Sequence, residues 1–395
     1  MLRPVRAAVV LLGLLAFLAG GIWLGGHPQH LPEALRGPFV DEQTAFVSEA
    51  IGIVEKRYYR EIPRKQLADS AIKGVVDNLD DRFSAYFTPK EYERFQEIQE
   101  SRFAGVGISV IEDDLGLRVA EVFDKSPAKR GGIERGDIII AANGTSLKGK
   151  TSNQSTGLIR GRPGTVVTLE LRRDKKQTLT KKLMRATVTV PVVASRMREI
   201  DGVEYGIVRL AQFSSGAHAE VYAALQKLQK QGAKGFVFDL RDNGGGLVNE
   251  AQLIASAFLP DGAIVTTRGR AVRERTLNAT GEPVVPKAPV VVLVNRATAS
   301  ASEIVAGALQ DRKRAVVVGT KTFGKGVFQQ VLELTNGGAL DITAGQYFTP
   351  SGRNLGGKGV KTGAGIEPGV RAADDSKTPR DEALDIALRE LAQRS

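Results

Sequence analysis

Val290 to Val294 is an unbroken run of apolar residues, and six residues after it ends stands Ser300. A strand with no polar face must be covered on both sides. The signal recurs along the chain. Gly206 to Leu210, Phe236 to Leu240 and Val316 to Val318 read as strands. Helical segments stand between them. One carries Val221, Ala224, Leu225 and Leu228 and ends at Gly232, and another runs to Pro260. Strands alternating with helices predict an α/β core with a sheet buried on both faces. Asn336-Gly337-Gly338 predicts a hairpin, and a charged amphipathic helix from about Thr378 closes the chain.

The upstream half follows other rules. Val47, Ala50, Ile51, Val54 and Tyr58 repeat at helical spacing, as do Leu67, Ala71, Val75, Val76 and Leu79. Thr88-Pro89-Lys90-Glu91 is a capping box with proline at the first helical position. These predict a small helical unit. From Phe103 to about Ala186 come short apolar runs separated by turn signals such as Asn143-Gly144 and Pro163-Gly164. They predict a small β-rich domain.

A length of 395 residues calls for more than one domain. The absence of cysteine excludes a disulfide scaffold and any thiolate nucleophile or metal site. Net charge is +11, yet the densest basic cluster, Arg172-Arg173-Asp174-Lys175-Lys176, reads as a solvated hairpin tip, so no nucleic-acid partner is expected. Arg3 and Arg6 precede 18 uncharged residues, Ala7 to Leu24, at the short limit for a membrane span. That order predicts an inside N-terminus and an exported remainder, anchored in the membrane. Ala19-Gly20-Gly21 is the one candidate cleavage site if the segment is instead a removed signal peptide, which would make the protein secreted. His27 and His30 follow in a linker without a third ligand, so no metal site is expected.

The chemistry concentrates in three places. Ser300 stands between a buried strand and a helix, exposed at the strand end in the positive field of the helix N-terminus. Lys325 lies between Gly324 and Gly326, where close backbones would bury its amine and lower its pKa. With histidines scarce, it is the candidate base for a serine nucleophile. In an extended segment Gln329 shares its face and can orient it, while Gln330 points away. Asp242-Asn243-Gly244-Gly245-Gly246 offers consecutive N–H groups, a nest fit for an oxyanion. A plainer reading of each stands beside these. Ser300-Ala301-Ser302-Glu303 is also a capping box, Lys325 also suits an exposed turn, and the glycines also suit a tight βα turn. The glycine string fits neither phosphate-loop order, and no HExxH string is present.

Together these strings resemble the carboxyl-terminal processing peptidases, also called tail-specific proteases. TASASEIVAGALQD and GTKTFGKGVFQQ carry the resemblance most strongly. Leu79 to Phe87 with Glu91-Tyr92 resembles the family's helical N-terminal signature. Phe103 to Ile108 and Gly132 to Asp137 resemble its PDZ domain, Asp239 to Gly246 its glycine loop, and Tyr347 to Arg353 its C-terminal signature. The family often has proline where this chain has Gly244, and Lys358 to Pro368 looks longer than usual.

The resemblance implies a multidomain α/β protein. Its crotonase-like β/α core, residues 187–370, would follow an inserted PDZ domain at 103–186 and a helical N-terminal region at 40–102. A signal anchor or signal peptide (1–26), a linker (27–39) and a C-terminal helix (371–395) would complete the chain. It implies a serine endopeptidase with Ser300 as nucleophile, Lys325 as general base and Gln329 as its orienting partner. The oxyanion would rest on the N–H of Ala301 and that of Gly245 or Gly246. Gly105, Val106, Gly107 and Ile108 would capture the carboxylate of a substrate's C-terminus beside an edge strand. No cofactor is implied. The implied partners are proteins or peptides with free apolar C-termini, the membrane, and an adaptor or a second copy of the chain. The rival reading is a catalytically silent PDZ adaptor on a protease-like scaffold.

Overall fold

The computed structural model describes residues 13–18, 20–21, 42–174, 177–357, 360, 363–375 and 377–394. Most of the expected membrane segment, together with His27, His30, Lys175, Lys176, Lys358, Gly359, Lys361 and Thr362, lies outside the described residues. No helix among the described residues is long and apolar enough to cross a membrane. The chain divides into two compact units, residues 1–80 and 81–395.

In the first unit helix α1 (Glu42–Arg57) pairs with α2 (Arg64–Asp77). Arg64 Nη1 meets Glu55 Oε2 at 2.9 Å. The apolar periodicity of α1 does not give full burial: Val47 and Val54 stay exposed, as does Tyr58 just past its end, because two helices alone cannot enclose both stripes.

The second unit opens with β1 (Ala85–Phe87), α3 (Pro89–Gln99) and β2 (Arg102–Gly105). The capping box at the start of α3 is made, with Thr88 N donating to Glu91 Oε2 at 2.9 Å. Next come β3 (Ile108–Asp113), β4 (Gly116–Val122), α4 (Pro127–Arg130), β5 (Ile138–Ala142), β6 (Thr145–Ser146), α5 (Ser152–Ile159), β7 (Val166–Arg173) and β8 (Gln177–Met184). Strands β3-β4-β5-β7-β8 form one antiparallel sheet, with β6 paired to β5. Their inward residues make a separate core that includes Leu117, Ile139, Val167, Leu169 and Leu171. Strand β9 (Ala186–Thr189) pairs with β2, so the domain leaves the chain and returns to it through one two-stranded ribbon.

The remaining elements are β10 (Val193–Ile200), β11 (Val203–Leu210), α6 (Ala217–Lys230), β12 (Phe236–Asp239), α7 (Val248–Ser256), β13 (Ala263–Arg268), β14 (Arg275–Asn278), β15 (Val290–Val294), α8 (Ala301–Asp311), β16 (Val316–Gly319), β17 (Val327–Glu333), β18 (Ala339–Phe348), β19 (Val370–Arg371) and α9 (Glu382–Ala392). The central sheet runs β10-β11-β12-β15-β16-β19, parallel from β11 onward. Strand β15 shows why it needs no polar residue. Val290, Val292 and Val294 pack toward α6, α7 and α8, while Val291 and Leu293 pack toward α9. Full burial of each such side chain stabilises the fold by about 1.5–3 kcal/mol. The protein is thus a mixed α/β molecule of several domains.

A second sheet, β1-β18-β13-β14 with β17 on β18, carries the Asn336-Gly337-Gly338 hairpin. The last helix starts at Glu382 rather than Thr378, because the Asp381 side chain caps it by accepting Leu384 N at 3.0 Å. The same carboxylate binds Arg241 on the strand end that leads to the glycine loop.

Candidate active site

The Ser300 turn is stitched to the glycine loop at every level. Thr298 Oγ1 donates to Leu240 O at 2.8 Å, Ala299 N to Asn243 O at 3.0 Å, and Ser302 Oγ to Asn243 O at 2.9 Å. Asn243 is itself fully buried and donates through Nδ2 to Leu210 O at 2.9 Å. Loop and turn are therefore joined through Leu240 and Asn243.

Within that frame Ser300 has φ 57° and ψ −118°. A non-glycine residue held there stores about 1–3 kcal/mol, and such strain persists only where the surroundings enforce it. The enforcing contact is close: a Cβ added to Gly245 would lie 2.8 Å from Ser300 Cβ and 3.0 Å from Ala301 N. The side chain of Ser300 is half-buried at the mouth of α8, whereas Ser302 is fully buried with its hydroxyl committed.

Lys325 Nζ donates to Gln329 Oε1 at 2.7 Å, and Gln329 Nε2 passes the chain on to Thr343 Oγ1 at 3.0 Å. A bulge between Phe328 and Gln329 helps aim that amide, and Gln330 is exposed as expected. The flanking glycines permit the close packing foreseen for them. A Cβ on Gly326 would sit 2.1 Å from Gly356 N. Burial pushes the Lys325 amine below its ordinary pKa, against the opposing charges of Asp341, Asp81 and Glu303. The amine also lies 4.9 Å from the centre of the Phe83 ring.

Five residues around the site were given no role in it by the sequence reading. Glu303, read there only as part of a cap, is fully buried and accepts four donors. Its Oε2 takes Ser300 N and Lys325 N, each at 2.9 Å, and its Oε1 takes Gly324 N at 2.7 Å and the Thr322 hydroxyl. Burial raises its pKa, and those donors hold it back. Asp81 accepts Phe83 N at 2.9 Å and Ser84 Oγ at 2.6 Å, and Ser84 Oγ accepts Thr343 N at 3.0 Å. Burial works against its ionised form, but the hydrogen bonds win and its pKa falls. Asp341 is pushed the other way by burial. The capping-box spacing was the available signal for Glu303. None existed for Asp341 or Thr343, which arrive from a distant hairpin.

The structure thus packs Gly245 against Ser300 and Ala301, ties the Lys325 backbone to Ser300 through Glu303, and holds the Lys325 amine on Gln329. Gly245 N already donates to Asn243 Oδ1 at 2.9 Å, so it can serve an oxyanion only by leaving that partner. Gly246 lies against Phe213, its added Cβ 2.3 Å from Phe213 O. Of the other four, Val106 sits in the core of the β-rich sheet with Ile108 packed against it, and Gly105 and Gly107 flank Val106. There Val106 O accepts Ala128 N at 2.8 Å and Gly107 O accepts Phe123 N at 3.1 Å.

A strained serine at a helix start against a glycine loop, with a half-buried lysine tied to it through Glu303, has the parts needed for acyl transfer. Residues 204–368 match the model of peptidase family S41, residues 104–182 that of a PDZ domain, and residues 30–90 that of the activating protease CtpB N-terminal domain. The chain is 34% identical over 316 residues to the carboxy-terminal processing protease CtpA of Bacillus subtilis (strain 168), covering 80% of this chain and 67% of that protein. It is 34% identical over 341 residues to a carboxyl-terminal-processing protease of Synechocystis, covering 85% and 79%. The solved structure of a photosystem II D1 C-terminal processing protease superposes with a TM-score of 0.50 at 29% identity, covering 85% of this chain and 94% of that one. The chain belongs to the carboxyl-terminal processing proteases of peptidase family S41, serine peptidases that here carry a PDZ domain.

Proposed function

We propose that the protein is an endopeptidase that cleaves exported or envelope proteins near their C-termini through a Ser300–Lys325 dyad. The observation that carries this reading is the half-buried Lys325 amine, held at 2.7 Å by Gln329 and depressed in pKa by burial. A lysine must be neutral to accept a proton, and burial shifts this one toward its neutral form.

In the first step Ser300 Oγ gives its proton to Lys325 Nζ and bonds to the scissile carbonyl carbon. The carbonyl electron pair moves onto oxygen, where the N–H of Ala301 and one from the glycine loop receive it. Collapse breaks the C–N bond, and the departing amine takes the proton back from Lys325. Water then repeats the sequence on the Ser300 ester. Gln329 holds the amine's direction throughout.

The remaining parts of the reading follow from the chain's organisation. Residues 103–186 act as a PDZ domain whose Gly105–Ile108 loop receives a free apolar C-terminus. Residues 1–26 act as a membrane anchor, 27–39 as a linker and 40–102 as a helical region. The catalytic part is residues 187–370, outside the cytoplasm, and residues 371–395 form the closing helix.

The test uses the purified full chain and an unstructured protein ending in apolar residues, offered with a free and with an amidated C-terminus. Mass spectrometry maps the cuts. Cleavage favouring the free acid, absent in Ser300→Ala, is the expected result. Equal cleavage of both forms would remove carboxylate capture, and cleavage by Ser300→Ala would remove the dyad.

A further inference from the structure

Tyr347 opens the Tyr347-Phe348-Thr349-Pro350-Ser351-Gly352-Arg353 string, which the mechanism above leaves without a task. Its side chain is among the largest fully buried ones in the protein, at 1% exposure. It packs in the same core as Ala301 and Ile304 at the head of α8. Its backbone N–H donates to Gly326 O at 3.1 Å, one residue beyond Lys325. The ring is therefore fixed from both sides of the dyad.

The hydroxyl at the end of that ring has no hydrogen-bond partner among the described residues. The Ser300 side chain is close enough to act on the phenol's ionisation, yet no hydrogen bond joins the two hydroxyls. Buried polar groups are normally paired, and an orphan invites a functional account. Burial, with the Glu303 charge adding to it, drives the phenol's pKa well above its ordinary value, so the group remains a donor at any working pH.

We infer that Tyr347 is a further catalytic residue whose phenolic O–H donates to Ser300 Oγ as negative charge develops there, when Oγ gives its proton to Lys325 and again when it leaves the acyl carbon. The tyrosine keeps its own proton. The unmade bond in the resting enzyme and the made bond in the transition state are what an interaction reserved for catalysis requires. This inference rests on Ser300 being the nucleophile.

The experiment compares wild type, Tyr347→Phe and Ser300→Ala on an unstructured protein substrate, with kcat and KM measured separately and Tm recorded. Tyr347→Phe removes one oxygen and fills the same space. It is expected to lower kcat by about 10- to 100-fold with KM nearly unchanged, as for loss of a transition-state donor. Its Tm is expected to equal or exceed that of wild type, because the oxygen removed had no partner. Tyr347→Phe activity within twofold of wild type, while Ser300→Ala is inactive, would overturn the role of Tyr347 and leave the dyad standing. A fall in Tm alongside activity would assign the hydroxyl to packing and overturn it too. Wild-type cleavage by Ser300→Ala would remove the nucleophile and this inference together.

Discussion

The backbone N–H groups of Ser300 and Lys325 converge on one oxygen, Glu303 Oε2, at 2.9 Å each. One carboxylate thus sets the separation between the residue expected to attack and the residue expected to take its proton. Glu303→Gln keeps the volume but puts a donor where an acceptor was needed. It should cost about 10²-fold in kcat/KM, the scale of a misplacement near 1 Å. Glu303→Ala should also destabilise the fold by at least about 3 kcal/mol, since each buried donor left unpaired costs about 1–3 kcal/mol. Peptidase kinetics beside urea denaturation separates the two effects.

Lys325→Arg should lose about 10²–10⁴ in kcat, because a guanidinium cannot give up a proton at working pH. Stability has a definite sign here. The folded pKa of Lys325 lies below its unfolded value, so between the two the unfolded chain binds more protons and stability rises with pH. At neutral pH the burial of this amine therefore opposes folding. Lys325→Met should be inactive yet no less stable than wild type at pH 7, as judged by thermal unfolding.

Asp341 raises the Lys325 pKa from one side, with Asp81 and Glu303 acting in the same sense against burial. Asp341→Asn removes one of these charges, so the amine should lose its proton more readily. The acid limb of the kcat/KM profile should move to lower pH. An unmoved limb, or one moved upward, would show that Lys325 is not the titrating base.

Gly245→Ala puts a methyl 2.8 Å from Ser300 Cβ at a backbone φ of 105°. Either the loop or the Ser300 turn must yield. Activity should fall by about 10²-fold or more with the fold retained, on the same scale of misplacement. Circular dichroism with peptidase kinetics checks it.

Much of this was legible in the residues. The apolar run at Val290 to Val294 signalled a doubly covered strand, and Ser300, Lys325 and Gln329 became candidates through their local chemistry together with the family resemblance. What could not be read was supplied by residues far apart in sequence. Ser84 reaches Thr343 from 259 positions away, and no local pattern marks that approach. Glu303 was visible as a cap because capping is local, but its bonds to Thr322, Gly324 and Lys325 depend on tertiary packing. The same limit applies to α1, where helical spacing was correct but Val47 and Val54 remained exposed.

The most direct test of the dyad looks for its covalent product. The full chain is mixed with an unstructured protein substrate, quenched with acid on the millisecond-to-second scale, digested and analysed by mass spectrometry. The expected result is an acyl adduct on the peptide containing Ser300, absent in Ser300→Ala and in Lys325→Arg. Cleavage without any adduct in wild type, an adduct on Ser302 instead, or full turnover by Ser300→Ala would contradict the account.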